Sequence, residues 1–200
     1  MKKVLLIIAG VIVAALLGAM LLPSKVHVER SIVINAPAAK VFNEVNSLQK
    51  WTSWDSWHKK DPNMVNEYSG PESGVGNKNS WKSSHKEVGN GAQTIMESVP
   101  NEKIVTELDF GDQGKGAGSF HFSAEGEGTK VVWGMDTDMG MNPIGKIFGL
   151  FMDKMVGKDF EQGLNNLKAH VESLPDEAPP VADAVTADSL KTTDAPPATN

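Results

Sequence analysis

The sequence predicts an α+β domain in which a sheet of about six to seven antiparallel strands is covered by one long C-terminal helix. Three observations lead to this prediction. An alternating apolar segment opens the domain at residues 26–37. Six further alternating segments, separated by turns rich in Gly, Pro and Asn, fill residues 62–139. From Asn142 onward, apolar residues recur with helical periodicity over about eight turns.

The first strand and two short helices after it are predicted from residues 26–57. The apolar residues of the strand fall on one face at period two: Val26, Val28, Ile32 and Ile34. Pro37 suits the first turn of a helix, and AAKVFNEVNSL follows it with one apolar stripe. The stretch WTSWDSW (51–57) then places three tryptophans at spacing three. Because steps of three keep side chains on one broad helical face, we predict a second short helical segment with an aromatic underside.

The six later strands are predicted to form a sheet with one apolar and one polar face. Their sequences are MVNEYSG, GVGNKNSWKSS, GAQTIMESV, EKIVTELDF, SFHFSAEG and TKVVWGMDTDM. The Gly-rich stretch GDQGKGAG is interpreted as a loop between the fourth and the fifth. Phe120 and Phe122 point to one side of their strand, and His121 points to the other. The opposite phase is mostly polar, so the apolar face needs a cover.

The predicted cover is the long helix, which has Asn142 as its cap and Pro143 in its first turn. With a length of roughly 40 Å, it is the only predicted element large enough to cover the sheet. Its apolar stripe consists of Ile144, Ile147, Phe148, Phe151, Met152, Met155, Phe160, Leu164, Leu167 and Val171. Four glycines in the helix predict either a bend or the close approach of another element: Gly145, Gly149, Gly157 and Gly163.

Residues 1–24 are interpreted as a transmembrane anchor. Residues 4–22 carry no charged or strongly polar side chain. Nineteen residues at helical rise span about 28 Å, which is close to the hydrocarbon thickness of a bilayer. Lys2 and Lys3 favour a single-pass, N-in orientation, which places the domain on the outer, periplasmic side of the membrane. The alternative is a cleaved signal peptide, but no small-x-small cleavage site follows the apolar run.

Residues 25–172 are expected to form the folded domain, and residues 173–200 a disordered acidic tail. The tail is rich in Pro, Ala, Thr and Asp, and it carries five carboxylates against one lysine. Most of the net charge of −6 therefore lies in the tail. A nearly neutral domain without a basic stripe excludes nucleic acid as a partner. The absence of cysteine excludes disulfides, thiolate metal sites and a cysteine nucleophile.

Four separated stretches resemble the SRPBCC (START-like, polyketide cyclase/dehydrase-like) superfamily in the right order. They are VERSIVINAPAAKVFNEVNSLQKWTSW, YSGPESGVGNKNSW, ESVPNEKIVTELDF and GTKVVWGMDTDMGMNPIGKIFGLFMDKMVGKDFEQGLNNLKA. The resemblance covers roughly residues 26–172. It implies the helix-grip fold, in which a curved antiparallel sheet surrounds the long helix and leaves a cavity that often holds a lipid or another apolar molecule. It implies no particular reaction, so function must be argued from the site.

We assign no catalytic residue, no metal site and no cofactor from the sequence. The five histidines form no HxxxH or HExxH spacing: His27, His58, His85, His121 and His170. Several strand carboxylates lie opposite the apolar phase, where a solvated sheet face is expected: Glu107, Asp109, Asp136 and Asp138. The phase of Glu97 stays open. A carboxylate inside an apolar cavity would have a raised pKa and would be suited to act as an acid or base.

Aromatic and methionine side chains are the predicted ligand-binding residues, because such pockets are mainly apolar. They are Trp51, Trp54, Trp81, Met96, Phe120, Phe122, Trp133, Met135, Phe148, Phe151, Met152 and Met155. Each of them would equally suit an ordinary core. The tryptophans of residues 51–57 are expected to close the open side of the sheet as a core plug or cavity wall, or to contact the membrane interface.

The predicted function is a membrane-anchored binding module for a lipid-like or other hydrophobic small molecule, with membrane contact through residues 4–22. Two alternatives stay open. One is an enzyme of cyclase/dehydrase or hydrolase type that uses a buried carboxylate. The other is a packed interaction domain without a ligand, which a completely filled core would favour.

Overall fold

Seven strands and one long helix make up the domain in the computed structural model, which describes residues 1–175. The strands are β1 (Lys25–Ile34), β2 (Val65–Ser69), β3 (Lys78–Lys82), β4 (Gly91–Val99), β5 (Lys103–Asp109), β6 (Lys115–Glu125) and β7 (Gly128–Asp138). They form one antiparallel sheet in the order β1-β7-β6-β5-β4-β3-β2. The first strand therefore pairs with the last one. The predicted α+β class with a helix-grip arrangement is confirmed.

The α-helices of the described residues are α1 (Lys2–Met20), α2 (Ala38–Val45), α3 (Ser56–Lys60) and α4 (Pro143–Ser173). Asn142 caps α4 as predicted, because its side chain accepts the backbone N–H groups of Ile144 and Gly145 at 3.0 and 3.2 Å. α4 packs along β1 and continues to Ser173. The predicted tail lies outside the described residues from Asp176 onward.

The tryptophan-rich stretch forms two short helices rather than the single helical segment that its spacing predicts. A 3₁₀ helix covers Lys50–Ser53, and α3 starts anew two residues after Trp54. Asp55 causes this restart, because its carboxylate caps α3 by accepting the backbone N–H of His58 at 2.7 Å. The prediction of one segment is therefore wrong, although all three indole rings still reach the same partner, Trp133.

Strand β6 begins at Lys115, earlier than the sequence predicts. Gly116 and Gly118, which the sequence assigns to a loop, are strand residues paired on both sides. A Cβ on Gly118 would lie 2.5 Å from Oγ1 of Thr106 on the neighbouring strand. Glycine is needed there to leave room for the threonine, so its presence inside a strand reflects a close approach rather than a turn.

Glycines in α4 let two elements approach its backbone closely. Ring carbon Cζ3 of Trp133 lies 2.7 Å from the position that a Cβ on Gly163 would take. Gly157 leaves room in the same way for the guanidinium of Arg30, which donates to the Glu161 carboxylate at 2.7 Å. These contacts confirm the predicted close approach and hold α4 against β1 and β7.

The core lies between the sheet and the second half of α4. Its largest fully buried side chains include Ile34, Leu48, Trp54, Phe120, Leu164 and Leu167. Helix α2 closes one end of this core with Val41 and Val45. Burial of each such large side chain contributes about 1.5–3 kcal/mol. This half of the molecule therefore supplies most of the stability of the fold.

Candidate functional site

A cavity of about 1110 Å³ lies between the sheet and the first half of α4. The sheet lines it with Trp81, Leu108, Gly118, Trp133 and Met135, and Phe110 just after β5 also lines it. From α4 the lining includes Ile144, Phe148, Met152, Met155 and Val156. Small-molecule sites typically occupy about 300–1000 Å³, so this space is large enough for a sizeable ligand. The hollow that the resemblance implies is present, but under only one half of the helix.

Trp133 forms the floor of the cavity, where the cavity meets the core. Its ring stacks on Phe160 of α4 at 4.2 Å and on Phe120 of β6 at 4.9 Å between centroids. Three more indoles meet its ring steeply inclined, at 5.7–5.8 Å: Trp51, Trp54 and Trp57. Stacked and edge-to-face contacts of this kind are favourable, so the floor is held in place from several sides.

The hollow exists because the side chains of β6 change in size along one face of the strand. Phe120 and Phe122 are buried at the core end. Two and four residues before Phe120, the same face carries Gly118 and Gly116. No side chain rises from β6 there, and Thr106 and Leu108 of the neighbouring strand reach over Gly118. Gly118 and Met152 of α4 both line the cavity.

Trp81 of β3 forms a side wall of the cavity. Its indole lies against Gly91 of the neighbouring strand, where a Cβ would come within 2.5 Å of the ring. The ring also meets Phe110 edge-on at 6.2 Å between centroids. Gly91 therefore lets the indole lie along the sheet instead of pointing across the cavity.

Seven of the twelve predicted ligand-binding residues line the cavity: Trp51, Trp81, Trp133, Met135, Phe148, Met152 and Met155. Three belong to the core and lie outside the lining: Trp54, Phe120 and Phe122. Met96 is exposed beside a register shift between Ile95 and Glu97, where Ile95 takes the buried position. Phe151 is exposed on the side of α4 that faces away from the cavity.

Several lining residues are missing from the prediction, among them Trp57, Leu108, Phe110 and Met139. Leu108 is in the inward phase of β5, and Met139 directly follows β7 in the inward phase of that strand. Strand alternation was therefore the available signal for these two residues. Gly145 also lines the cavity. A glycine that lines a cavity gives no such signal, because in the sequence a glycine indicates only a weak helix-forming position.

One corner of the cavity is polar. Asp55 is buried, and its carboxylate accepts a hydrogen bond from Nδ1–H of His58. Nε2 of His58 then accepts from the Asn66 amide at 3.0 Å, and Oδ1 of Asn66 accepts from Asn79 at 2.9 Å. Oδ1 of Asn79 is buried with no partner among the described residues. Burial, with a smaller contribution from the charge of Asp55, raises the pKa of the neighbouring Tyr68.

Lysines lie along the rim of the cavity. Lys60 pairs with Asp159 at 2.7 Å and with Glu87 at 3.3 Å. Burial lowers the pKa of Lys60, but the two carboxylates outweigh burial and raise its pKa overall. Three further rim lysines form no ion pair with any residue in 1–175: Lys86, Lys154 and Lys158. The rim therefore favours an anionic group on a bound molecule.

The carboxylates of the strands lie away from the cavity. Glu97 pairs with Lys103 at 2.8 Å, and Asp136 bonds His27 at 2.8 Å. Glu97 is partly exposed and outside the lining, which settles its phase. The carboxylates that reach the lining each have a cationic or imidazole partner: Asp55, Glu87 and Asp159. Within residues 1–175, no three His, Cys, Asp or Glu side chains meet in a metal-binding group.

Comparison with known families decides which fold family this geometry represents. A family model described as polyketide cyclase / dehydrase and lipid transport matches residues 25–172. The chain belongs to the polyketide cyclase/dehydrase and lipid transport family. The SRPBCC resemblance indicated by the four sequence stretches is thereby confirmed. The sequence matches none of the curated proteins compared with it.

Solved structures share the family fold at low sequence identity. The solution structure of KanY has a TM-score of 0.58 and 18% identity, covering 74% of this chain and 98% of KanY. A crystal structure of a Chromobacterium violaceum protein has a TM-score of 0.53 and 16% identity, covering 75% and 99%. The di-domain ARO/CYC StfQ from the steffimycin biosynthetic pathway has a TM-score of 0.58 and 13% identity. That match covers 74% of this chain and 51% of StfQ.

Helix α1 precedes the residues that the family model matches. It is the one helix within residues 1–175 that is long and apolar enough to cross a membrane. A signal sequence near the N-terminus meets the same criterion. Its end contacts α4, because Nζ of Lys146 donates to the carbonyl oxygen of Met20 at 2.8 Å.

Proposed function

We propose that the chain is a membrane-anchored binding module that holds a lipid-like or other hydrophobic small molecule under the first half of α4. The cavity itself carries the proposal. It offers about 1110 Å³ between an aromatic floor and methionines, in a fold whose other half is filled. Methionine adapts to irregular apolar partners. Each CH₂ group buried there would contribute about 0.8 kcal/mol, so an acyl chain would bind without a dedicated hydrogen bond.

The proposed anchor is the apolar run of residues 4–22 in α1. Its length suits one crossing of a bilayer. Lys2 and Lys3 on the short side favour an N-in, single-pass orientation with the domain on the outer, periplasmic side. An anchored domain of this kind would hold its ligand close to the bilayer, in which an apolar molecule is dissolved.

Native mass spectrometry of the full chain, released from detergent, tests the proposal. Wild-type protein is expected to retain one hydrophobic adduct per chain. A plugged variant, Gly145→Phe with Thr137→Phe, adds two aromatic rings to the cavity lining and is expected to lose the adduct. Gly145 tolerates a side chain, because the nearest atom to an added Cβ is Met139 Cβ at 3.5 Å.

The matched control is Gly10→Phe in α1, where an added Cβ meets nothing within 4 Å. It keeps the anchor and adds the same side chain far from the cavity. An adduct in the control but not in the plugged variant locates the ligand in the cavity. Wild-type protein without any adduct, or equal adducts in all three proteins, would refute the proposal.

A second candidate function is acid–base catalysis at the polar corner. The observation that favours it is the pair formed by the buried Asp55 and the partly buried His58 in the lining. Its imidazole is already oriented by two hydrogen bonds, so a substrate would have to replace the Asn66 amide at Nε2. Lipid mixtures incubated with wild type and His58→Gln separate the two functions, because new product masses that only the wild type forms indicate catalysis. The packed interaction domain predicts a filled core, and the size of the cavity argues against it.

A further inference from the structure

The first half of α4 has a second apolar face that points away from the cavity. Ile147, Leu150 and Phe151 recur at helical spacing, and Lys154 follows one turn later. Leu150 is 60% exposed and Phe151 is 55% exposed, and neither lines the cavity. We call Ile147, Leu150 and Phe151 the outer face of α4; Lys154 lies at its edge and also lines the cavity. Clustered exposed apolar side chains of this kind mark a contact surface.

The outer face begins where α4 is attached to the end of α1. Lys146 donates to the carbonyl oxygen of Met20, the last residue of α1, and it directly precedes Ile147. A second bond in the same region joins the backbone N–H of Met139 to the carbonyl oxygen of Ser24 at 2.8 Å. Two attachments therefore hold the outer face next to the end of the proposed span.

The charges beside the outer face suit the surface of an anionic bilayer. Lys154 and Lys158 lie one and two turns beyond Leu150 and form no ion pair within residues 1–175. Lysines close to an anionic lipid surface are attracted to it and strengthen membrane contact. An apolar face with lysines at its edge is typical of helices that lie in the plane of a membrane interface.

We propose that the outer face of α4 lies on the surface of the bilayer that α1 crosses. Leu150 and Phe151 then sit below the lipid headgroups, and Lys154 and Lys158 contact anionic headgroups. Phe148 and Met155, which line the cavity and are half exposed, lie next to this contact on α4. A lipid would enter the cavity from the bilayer without passing through bulk water. The proposal rests on the anchor role proposed for residues 4–22.

Tethering explains why so small a patch is sufficient. Three apolar side chains alone would bind a membrane weakly and reversibly. The anchor makes the contact intramolecular, so a high effective concentration replaces a large contact area. The connection from α1 to β1 is short, residues 21–24, which keeps the domain close to the headgroups.

Single-cysteine labelling of the full chain tests this orientation, because the natural sequence has no cysteine. A nitroxide is placed at Phe151→Cys, at Val11→Cys in the span, and at Glu127→Cys on the far hairpin between β6 and β7. The proteins are reconstituted in vesicles of phosphatidylcholine and phosphatidylglycerol. Relaxation by oxygen, relative to relaxation by a water-soluble nickel chelate, reports the depth of each label. The expected order of this ratio is Val11 highest, Phe151 intermediate and Glu127 lowest.

A ratio at position 151 equal to that at 127 would overturn the proposal. Dipolar coupling between labels at position 151 would also overturn it, because the face would then be covered by a second copy of the chain. A low ratio at position 11 would remove the anchor and the proposal together. Any other order of the three ratios contradicts the orientation as well.

The double variant Leu150→Gln/Phe151→Gln separates this proposal from ligand binding. Neither residue lines the cavity, so the adduct seen by native mass spectrometry in detergent is expected to persist. In vesicles, the label at Ile147→Cys is expected to move toward the aqueous ratio in this background. If neither the wild type nor the double variant retains an adduct, ligand binding is refuted. The depth measured with the spin labels is independent of that result. An unchanged depth in the double variant would overturn the surface contact alone.

Discussion

The two halves of α4 have similar apolar sequences but opposite surroundings. In the second half, Phe160 is 2% exposed and Leu167 is fully buried. In the first half, on the side that lines the cavity, Phe148 is 48% exposed and Met155 is 52% exposed. The apolar stripe in the sequence continues through both halves. The apolar stripe thus specifies which side of the helix is apolar. The elements that pack against the helix decide how much of that side is buried.

The sheet explains the difference between the two halves. Phe120, Phe122 and Trp133 fill the space at the core end, and Phe160 stacks directly on Trp133. At the other end, Gly118 leaves the face of β6 bare. The second half of the helix is therefore packed into the core, and the first half borders the cavity and is largely exposed.

The largest expected effect is the loss of Trp133 from the packed half. Trp133→Ala should lower the free energy of unfolding by about 3–5 kcal/mol, because it removes the ring on which the aromatic cluster converges. The matched substitution in the open half, Phe148→Ala, should cost about 1 kcal/mol or less, because that ring is half exposed. Urea unfolding of the detergent-solubilised full chain, followed by far-UV circular dichroism, measures both. Similar losses for the two variants would contradict the division of α4.

A smaller effect, of opposite sign in the two halves, is expected from adding one methyl group to α4. Gly163→Ala should lower the free energy of unfolding by about 1–3 kcal/mol, because the new Cβ would press on the Trp133 ring at 2.7 Å. Gly145→Ala should raise it by about 0.5–1 kcal/mol, since the helix gains a better residue and the Cβ has room. The same urea titration checks both signs. Stabilisation by Gly163→Ala would show that the close approach is not needed.

The smallest expected effect is a pH dependence located in the packed half. Burial raises the pKa of Glu44, but hydrogen bonds from Lys50 at 2.8 Å and His170 at 3.0 Å outweigh burial, so its pKa lies below the ordinary value of 4.5. A carboxyl with a lowered folded-state pKa stabilises the fold above pH 4.5, and this stabilisation is lost as the pH falls through the folded-state pKa. Melting temperatures between pH 7 and pH 3 should therefore fall less steeply for Glu44→Gln than for wild type. If the melting temperatures of the two proteins fall in parallel with pH, Glu44 does not cause this pH dependence.

Regular periodicity made most of the fold predictable. The strands alternate at period two, and α4 has a polar cap at Asn142 followed by Pro143, so the element order and the closing helix follow from local patterns. The spacing of the tryptophans does not predict the helix break after Trp54. The break depends on the Asp55 carboxylate, which accepts the backbone N–H of His58 and so starts α3. The early start of β6 at Lys115 is hidden by glycines that normally indicate a loop.

The candidate site was predictable only in part, because lining and core residues have the same chemistry. Phe120 and Trp133 both carry large rings in the inward phase, yet only Trp133 reaches the cavity. Gly118 lies next to Phe120 on the same face of β6 and lines the cavity, whereas Phe120 is buried in the core. The polar corner was hidden for another reason, since Asp55 and Asn79 are brought together by tertiary contacts and not by sequence spacing.

The most direct measurement of the central claim is quenching of tryptophan fluorescence by a fatty acid that carries bromine at mid-chain. Four of the five tryptophans line the cavity: Trp51, Trp57, Trp81 and Trp133. In detergent, the full chain is expected to lose most of its fluorescence in a titration that saturates at one equivalent. The plugged variant Gly145→Phe/Thr137→Phe should stay bright, and Gly10→Phe should behave like wild type. Fluorescence that is unchanged in wild type, or quenched equally in the plugged variant, would contradict a hydrophobic ligand in this cavity.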